Sequence, residues 1–246
     1  MSASDERLAS FVRSLNRYAG MLGLKINIEL AKKVEEVQLK IMDDVARTLN
    51  EMWNGNLSLQ DLLAKLAETG LLKNLITFAA SSIGEHVEPE KAEEALSRAI
   101  SGDLSESGSK GALLAFQAIA RSYAEKFAEA RGSIQEVTAF CPLCGSESRT
   151  MVKRGNSFFM VCHLCGYAWK VSEGSAVCPF CGNDNKFKIG TFMDKEMRYG
   201  LMYCQECGSS WRVILDENMA AAPNIIIPLL AMGAERFRSA LPSNVS

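Results

Sequence analysis

The spacing of apolar and polar positions changes once along the chain, near Gly132. Before this point, apolar residues recur at steps of three and four, which is the period of an amphipathic helix. After it, short apolar runs are separated by turn residues such as Gly155 and Asn156, which is typical of β-strands. The pattern therefore predicts an α+β protein with an N-terminal all-α part and a β-rich part.

The longest predicted helix carries a continuous apolar stripe made of Leu30, Val34, Val37, Ile41, Val45, Leu49 and Met52. Between these positions lie charged residues such as Glu35, which we expect to face solvent. Ser58 and Asp61 have the spacing of a capping box, so they predict a short helix that ends near Gly70. The stripes predict a helical core and not a ligand groove.

The last helices of this part are marked by a proline and by a second stripe. Pro89 fits the first turn of a helix over 90–100. Residues 101–111 are rich in serine and glycine, which predicts either a loop or a mobile start of the next helix. The second stripe consists of Leu113, Phe116, Ala120, Tyr123 and Phe127, and it ends at Gly132.

In the β-rich part, the predicted strands are 149–153, 157–161, 187–192, 199–203 and 211–215. We expect a final helix over 224–241. Its most apolar stretch, 225–234, is too short to cross a membrane and contains Pro228, so we expect no membrane insertion.

Composition and charge exclude several classes of protein. The chain has 246 residues, of which 48% are hydrophobic and 23% charged, as in ordinary globular proteins, so extensive disorder is not expected. The net charge of −2 disfavours nucleic acid as a partner. The first twenty residues do not match a secretory signal, so we expect a cytoplasmic protein with reduced thiols.

All eight cysteines lie in four C-x-x-C pairs, and a glycine follows each pair: Cys141/Cys144, Cys162/Cys165, Cys178/Cys181 and Cys204/Cys207. In a metal knuckle the chain bends so that two thiolates reach one ion about 2.3 Å away. Glycine suits the next position because it adopts positive φ without steric cost. Four such pairs are a strong signal for metal binding.

An internal repeat divides these pairs into two sets. CPLCGSES at Cys141 matches CPFCGNDN at Cys178, and CHLCGYAWKV at Cys162 matches CQECGSSWRV at Cys204. Two tandem modules follow, each with a hairpin between its cysteine pairs. One metal site would use Cys141, Cys144, Cys162 and Cys165, and the other would use Cys178, Cys181, Cys204 and Cys207. An interleaved pairing of first with third and second with fourth pairs is the disfavoured alternative.

The cysteine pattern is compatible with more than one chemistry. Eight thiolate ligands favour two closed, structural sites of four cysteines each, because a hydrolytic metal needs an open coordination position. Thiolates accept iron or zinc, so both metals stay open. Redox-active C-x-x-C pairs or disulfides are a weaker alternative in reducing surroundings.

Other residues carry weaker signals. His163 lies inside a knuckle, but with cysteine at every expected ligand position we expect it to face solvent. His86 has no acid or nucleophile pattern around it. Trp169 and Trp211 occupy equivalent repeat positions, where they would cover the hairpins or, alternatively, stack on nucleic-acid bases. No phosphate-binding, dinucleotide-binding or zinc-protease motif is present, and no catalytic residue is assigned.

At this level of detail the sequence resembles the formate dehydrogenase accessory (FdhE) family. The resemblance covers roughly residues 138–240. It is carried by CPLCGS at Cys141, FFMVCHLCGYAW from Phe158, CPFCGN at Cys178, YCQECGSSWRVIL from Tyr203 and the apolar PNIIIPLL that follows.

The resemblance implies a fold and a function. We expect a helical domain over 1–135, rubredoxin-like (zinc-ribbon) metal modules over 136–174 and 175–217, and a helical tail over 218–246. It also implies a cytoplasmic biogenesis factor that is not an enzyme. Such a factor would bind the immature catalytic subunit of a molybdenum or tungsten formate dehydrogenase, or a related enzyme, and hold two metal ions through the paired cysteines.

Two other functions remain as alternatives at this point. A zinc-ribbon protein that binds nucleic acid would use the ribbons and their basic hairpins. An electron carrier would use iron held by four cysteine thiolates at each site. Partner-contacting residues are not assigned by the sequence.

Overall fold

The computed structural model describes residues 3–245. Within that range the chain forms two compact units. One unit is Glu29–Ala130, and the other combines the residues up to Ile28 with those from Arg131 onward. The α+β class predicted from the sequence is confirmed. The predicted division after residues 135, 174 and 217 is a finer scheme and stays a prediction.

The helices of the N-terminal part are α1 (Ala3–Ala19), α2 (Ile28–Met52), α3 (Leu59–Glu68), α4 (Leu71–Ser82), α5 (Ala92–Ile100) and α6 (Ser109–Arg131). A 3-10 turn over Pro89–Lys91 precedes α5, so the helix expected from residue 90 begins as a tighter turn. The stripe on α2 is buried at Val37, Ile41, Val45 and Leu49. Leu30, at its start, is 55% exposed, so its assignment to the core is wrong.

The capping box predicted for α3 is confirmed. The Asp61 amide donates to the Ser58 hydroxyl at 3.1 Å, and the Ser58 amide donates to the Asp61 carboxylate at 3.0 Å. These bonds satisfy two backbone donors that the helix itself leaves free. The helix ends at Glu68, and Gly70, with φ of 71°, allows the chain to enter α4 at once.

Glu35 does not face solvent as its sequence context suggests. Its side chain is buried and ion-paired with the buried Arg121 of α6, with 2.8 Å between Oε2 and Nη1. A buried charge is tolerated when it is paired and hydrogen-bonded. Gln38, one turn further along α2, donates to Gln117 of α6 at 3.2 Å. These polar contacts set the register between α2 and α6 inside an otherwise apolar core.

The segment 101–111 was expected to be a loop or the start of a helix, and its last residues, 109–111, form the start of α6. Gly111 lies where α6 meets α4. A Cβ atom built there would be 2.4 Å from Cα of Ala80. The Gly111 amide donates to the Glu85 carboxylate at 3.1 Å. The close packing of the two helices offsets the low helix propensity that favoured a loop.

The other unit is built on a sheet that has six strands within residues 3–245, in the order β3-β2-β1-β6-β5-β4. The strands are β1 (Thr150–Arg154), β2 (Ser157–Val161), β3 (Ala168–Glu173), β4 (Ile189–Met193), β5 (Tyr199–Cys204) and β6 (Ser210–Ile214). The first three form one antiparallel ribbon and the last three form another. A parallel pair, β1 with β6, joins the two ribbons edge to edge.

Two strand predictions need correction. β3 has no counterpart among the five runs expected from the sequence, although its alternation of buried Trp169 and Val171 with Lys170 is that of a half-buried strand. β4 begins at Ile189 and not at Phe187. Phe187 is 82% exposed, and its amide donates to the Asn185 side chain in the preceding turn.

The predicted final helix over 224–241 is irregular. A short α7 (Glu217–Ala220) comes first, α8 spans only Ile227–Ala231, and the chain continues as a 3-10 helix over Met232–Ala240. Glu235 in this segment pairs with Arg212 of β6 at 2.6 Å and so holds the tail against the sheet. None of the helices in residues 3–245 combines the length and the hydropathy that a membrane crossing requires.

We expect Gly111→Ala to destabilise the helical unit by about 2 kcal/mol, because the added methyl group overlaps the Ala80 backbone. The measurement is denaturant unfolding followed by far-UV circular dichroism. Gly20→Ala is the control, since a Cβ at Gly20 meets nothing within 4 Å. A stability for Gly111→Ala equal to that of the wild type would contradict the close approach of α4 and α6.

Candidate metal centres

Each C-x-x-C pair folds into the same small turn. The amide of the following glycine donates to the carbonyl of the first cysteine, at 2.9 Å for Gly145, 3.1 Å for Gly166, 2.9 Å for Gly182 and 2.9 Å for Gly208. The amide of the first cysteine in turn donates to the carbonyl of the residue after the glycine. These glycines have φ between 71° and 76°, a region that disfavours any side chain. The sequence repeat is therefore also a repeat of backbone geometry.

Among the described residues, the structure brings the cysteines together in two groups of four. The first group is Cys141, Cys144, Cys162 and Cys165, and the second is Cys178, Cys181, Cys204 and Cys207. Within each group, all four sulfur atoms lie within 4.8 Å of one another. An interleaved pairing would need cysteines that the fold places in different groups.

The sulfur atoms of each group have the separations that a tetrahedral ion requires. Cys141 and Cys165 are 3.6 Å apart, and Cys144 and Cys162 are 3.5 Å apart. In the second group Cys178 and Cys207 are separated by 3.7 Å, and Cys181 and Cys204 by 3.8 Å. Four thiolates about 2.3 Å from one ion would be about 3.8 Å from each other. The donor set and its spacing therefore fit zinc or iron, and each group can hold one ion.

Disulfide bonds do not account for the clustering. A disulfide needs two sulfur atoms about 2.05 Å apart, whereas all eight cysteines are free. Within each group every sulfur lies within 4.8 Å of the three others, which is the arrangement of a shared ligand sphere and not of a bonded pair.

The thiols of the first group hydrogen-bond to one another, and this changes their pKa values. Hydrogen bonds from Cys141, Cys144 and Cys165 hold the pKa of the Cys162 thiol well below its ordinary value. The donors are affected in the opposite sense: hydrogen bonding to Cys141 raises the pKa of Cys144 and of Cys165. Without a metal ion, ionisation of one thiol disfavours ionisation of its neighbours. The charge of a divalent cation stabilises all four thiolates at once, and protons are released when it binds.

The second group is more open. Burial raises the pKa of Cys178 and of Cys181. For Cys207, burial acts in the same direction, but hydrogen bonds from the Ser209 side chain and backbone outweigh it and lower the pKa to about 7. The side chain of Asn183 donates to the Cys204 sulfur at 3.4 Å. Donors of this kind stabilise thiolate charge around a bound ion.

Sequence reasoning missed these supporting residues, although a signal for them exists. Ser209 and Asn183 occupy the position directly after a C-x-x-C-G motif, as does Tyr167. The Tyr167 hydroxyl accepts a hydrogen bond from the Ile134 amide at 2.8 Å and donates to the Gly132 carbonyl at 3.2 Å. It thereby fastens the segment that leads into the first ribbon.

The other residues singled out from the sequence are exposed or lie in the core. His163 and His86 are exposed, and neither belongs to a metal-binding group among residues 3–245. Trp169 and Trp211 are 0% and 1% exposed, so they fill the sheet core and cannot stack on nucleic-acid bases in this fold. The Trp169 indole donates to the Thr138 carbonyl at 3.1 Å.

A protein of known structure has a similar fold. The chain is similar to the crystal structure of the FdhE protein from Pseudomonas aeruginosa, with a TM-score of 0.59 and 15% sequence identity. The similarity covers 95% of this chain and 90% of that chain. The fold is FdhE-like. No protein-family model matches the sequence, and neither does any curated protein.

Replacing both Cys141 and Cys144 with serine should abolish metal binding by the first group and unfold its ribbon. The helices of Glu29–Ala130 should persist, since they form a compact unit of their own. The expected result is one metal ion per chain in place of two by native mass spectrometry, with the helical circular dichroism signal largely retained. An unchanged metal content would refute the grouping of these cysteines.

Proposed function

We propose that this protein is an accessory factor for formate dehydrogenase biogenesis. It binds the immature catalytic subunit of a molybdenum or tungsten formate dehydrogenase, or of a related enzyme, before that subunit becomes active. The observation that carries the proposal is an FdhE-like fold over 95% of the chain, together with two groups of four cysteines.

We assign two metal ions, iron or zinc, to this proposed function. Cys141, Cys144, Cys162 and Cys165 would hold one ion, and Cys178, Cys181, Cys204 and Cys207 would hold the other. The spacing of the sulfur atoms supports this assignment, because each group offers a complete set of four soft donors. When bound, the ion supplies folding energy to a ribbon that is too small to form a large core of its own.

The proposed role is binding and not catalysis. Four thiolates complete the coordination of a tetrahedral ion and leave no position for an activated water. Neither exposed histidine belongs to a cysteine group, so neither is placed as a metal ligand. A cytoplasmic location suits eight free thiols, because that compartment keeps cysteines reduced.

Affinity capture from the source cells tests the proposal. The tagged full-length chain, expressed at its native level under conditions that induce formate dehydrogenase, should retrieve the catalytic subunit of that enzyme. The retrieved subunit should be enriched when its cofactor insertion is blocked, since the proposed client is the immature form. Mass spectrometry identifies the client, and metal analysis of the same sample identifies the ions.

Two control variants distinguish a specific client from non-specific binding. Gly20→Ala, tagged in the same way, should retrieve the same subunit, while the Cys141→Ser and Cys144→Ser double variant should retrieve less of it if an intact first ribbon is required. Retrieval of no oxidoreductase subunit by the wild type would refute the proposal. Retrieval of nucleic acid with a steep salt dependence would favour a nucleic-acid-binding ribbon.

A further inference from the structure

The two cysteine groups differ in exposure, although their knuckles have the same backbone geometry. In the first group Cys141, Cys162 and Cys165 are 2%, 0% and 1% exposed, and Cys144 is half-buried. In the second group Cys178 and Cys204 are fully buried, but the remaining two, Cys181 and Cys207, are exposed to solvent. The repeat thus produces one shielded cluster and one cluster with an open side.

Contacts of the Cys162/Cys165 knuckle with distant parts of the chain shield the first cluster from solvent. Gly166, which follows Cys165, lies against the chain that leads into α8: a Cβ built on it would be 3.6 Å from the Ile225 amide nitrogen and 3.8 Å from Asn224. In addition, the Ile134 amide donates a hydrogen bond to the hydroxyl of Tyr167, the residue directly after that glycine. The ligand Cys165 is therefore enclosed by segments that are distant in sequence.

Within residues 3–245, the second cluster has no comparable cover over its two exposed thiols. A Cβ at Gly182, which follows Cys181, would meet no atom within 4 Å. Gly208, which follows Cys207, does meet the Asn244 carbonyl, but this contact leaves Cys207 exposed. The sulfur atoms of Cys181 and Cys207 lie within 4.8 Å of each other, so the open side presents two neighbouring ligands of the same ion.

Exposure of a ligand controls how easily it can be replaced. An external donor reaches an exposed thiolate-metal bond directly, whereas a buried one becomes reachable only after a local opening that costs free energy. The protein shell around a metal site sets this access. Two clusters with the same ligands can therefore exchange their ions at very different rates.

We propose that the second cluster is an exchangeable metal site, open to soft external donors such as a thiolate, and that the first cluster is a closed structural site. The inference rests on the proposed assignment of one ion to each cluster. In the exchange step, an incoming thiolate forms a bond to the ion as the bond to Cys181 or Cys207 breaks. The released thiolate takes a proton from solvent, and the oxidation state of the ion does not change.

Zinc release from the full-length protein tests this inference. The chain is loaded with two Zn²⁺ ions, verified by native mass spectrometry, and mixed with the chromophoric chelator 4-(2-pyridylazo)resorcinol. We expect two phases of one ion each, with the fast phase at least roughly tenfold faster. Pulse labelling with N-ethylmaleimide during the fast phase should modify the cysteines of the second cluster, located by peptide mass spectrometry, before those of the first.

Two single variants at equivalent repeat positions provide the matched comparison. Cys181→Ser should bind one ion firmly and release it only in the slow phase. Cys144→Ser should keep the fast phase and lose the slow one. If either variant fails to fold, the order of labelling in the wild type still decides between the two clusters.

Three results would overturn the inference: equal release rates of the two ions, earlier labelling of the first cluster, or failure of the wild type to bind a second zinc ion. The first two leave the proposed accessory function intact, because client capture does not depend on a difference in exchange rates. Failure to capture a client would refute the accessory function and leave the release measurement unaffected.

Discussion

The convergence of four thiols on one point, within 4.8 Å in each cluster, is the constraint on which the sheet unit depends. Each ribbon contributes three short strands, which bury too little apolar surface to be stable alone. Under the proposed metal assignment, thiolate-metal bonds would supply the missing free energy, because the ligands assemble only when the ribbon is folded. The glycine after each pair has positive φ and allows the chain to turn there, so that both cysteines of the pair reach the same cluster.

Joining the ribbons gives the repeats unequal surroundings. The parallel pair of β1 and β6 uses the first strand of one ribbon and the last strand of the other. The two ribbons are therefore not arranged symmetrically in the sheet. The tail from Asp216 onward then packs beside the knuckle of Cys165 and, at Asn244, beside that of Cys207. Identical local motifs thereby acquire different solvent exposure, which is the physical basis for assigning them different exchange behaviour.

The helical unit shows why sequence patterns predict the position of helices better than the burial of individual side chains. The stripe of α2, except for Leu30 at its start, and the capping box of Ser58 and Asp61 were predicted correctly because both depend on residues a few positions apart. The burial of Glu35 was not predicted, and the helical state of Gly111 was left open against a loop, because each depends on a partner far along the chain. Arg121 neutralises the charge of Glu35. The close approach of Ala80 leaves no room for a side chain at position 111.

The sequence by itself determined the α+β class, the four knuckles and their division into two repeats, because turn geometry, ligand spacing and periodicity are local properties. It left β3 unassigned and placed a regular helix where the tail is mostly 3-10. Only the tertiary structure decided the strand order, the parallel pairing of β1 with β6 and the exposure of Cys181 and Cys207. These features depend on contacts between residues that are distant in the chain, and no local pattern specifies them.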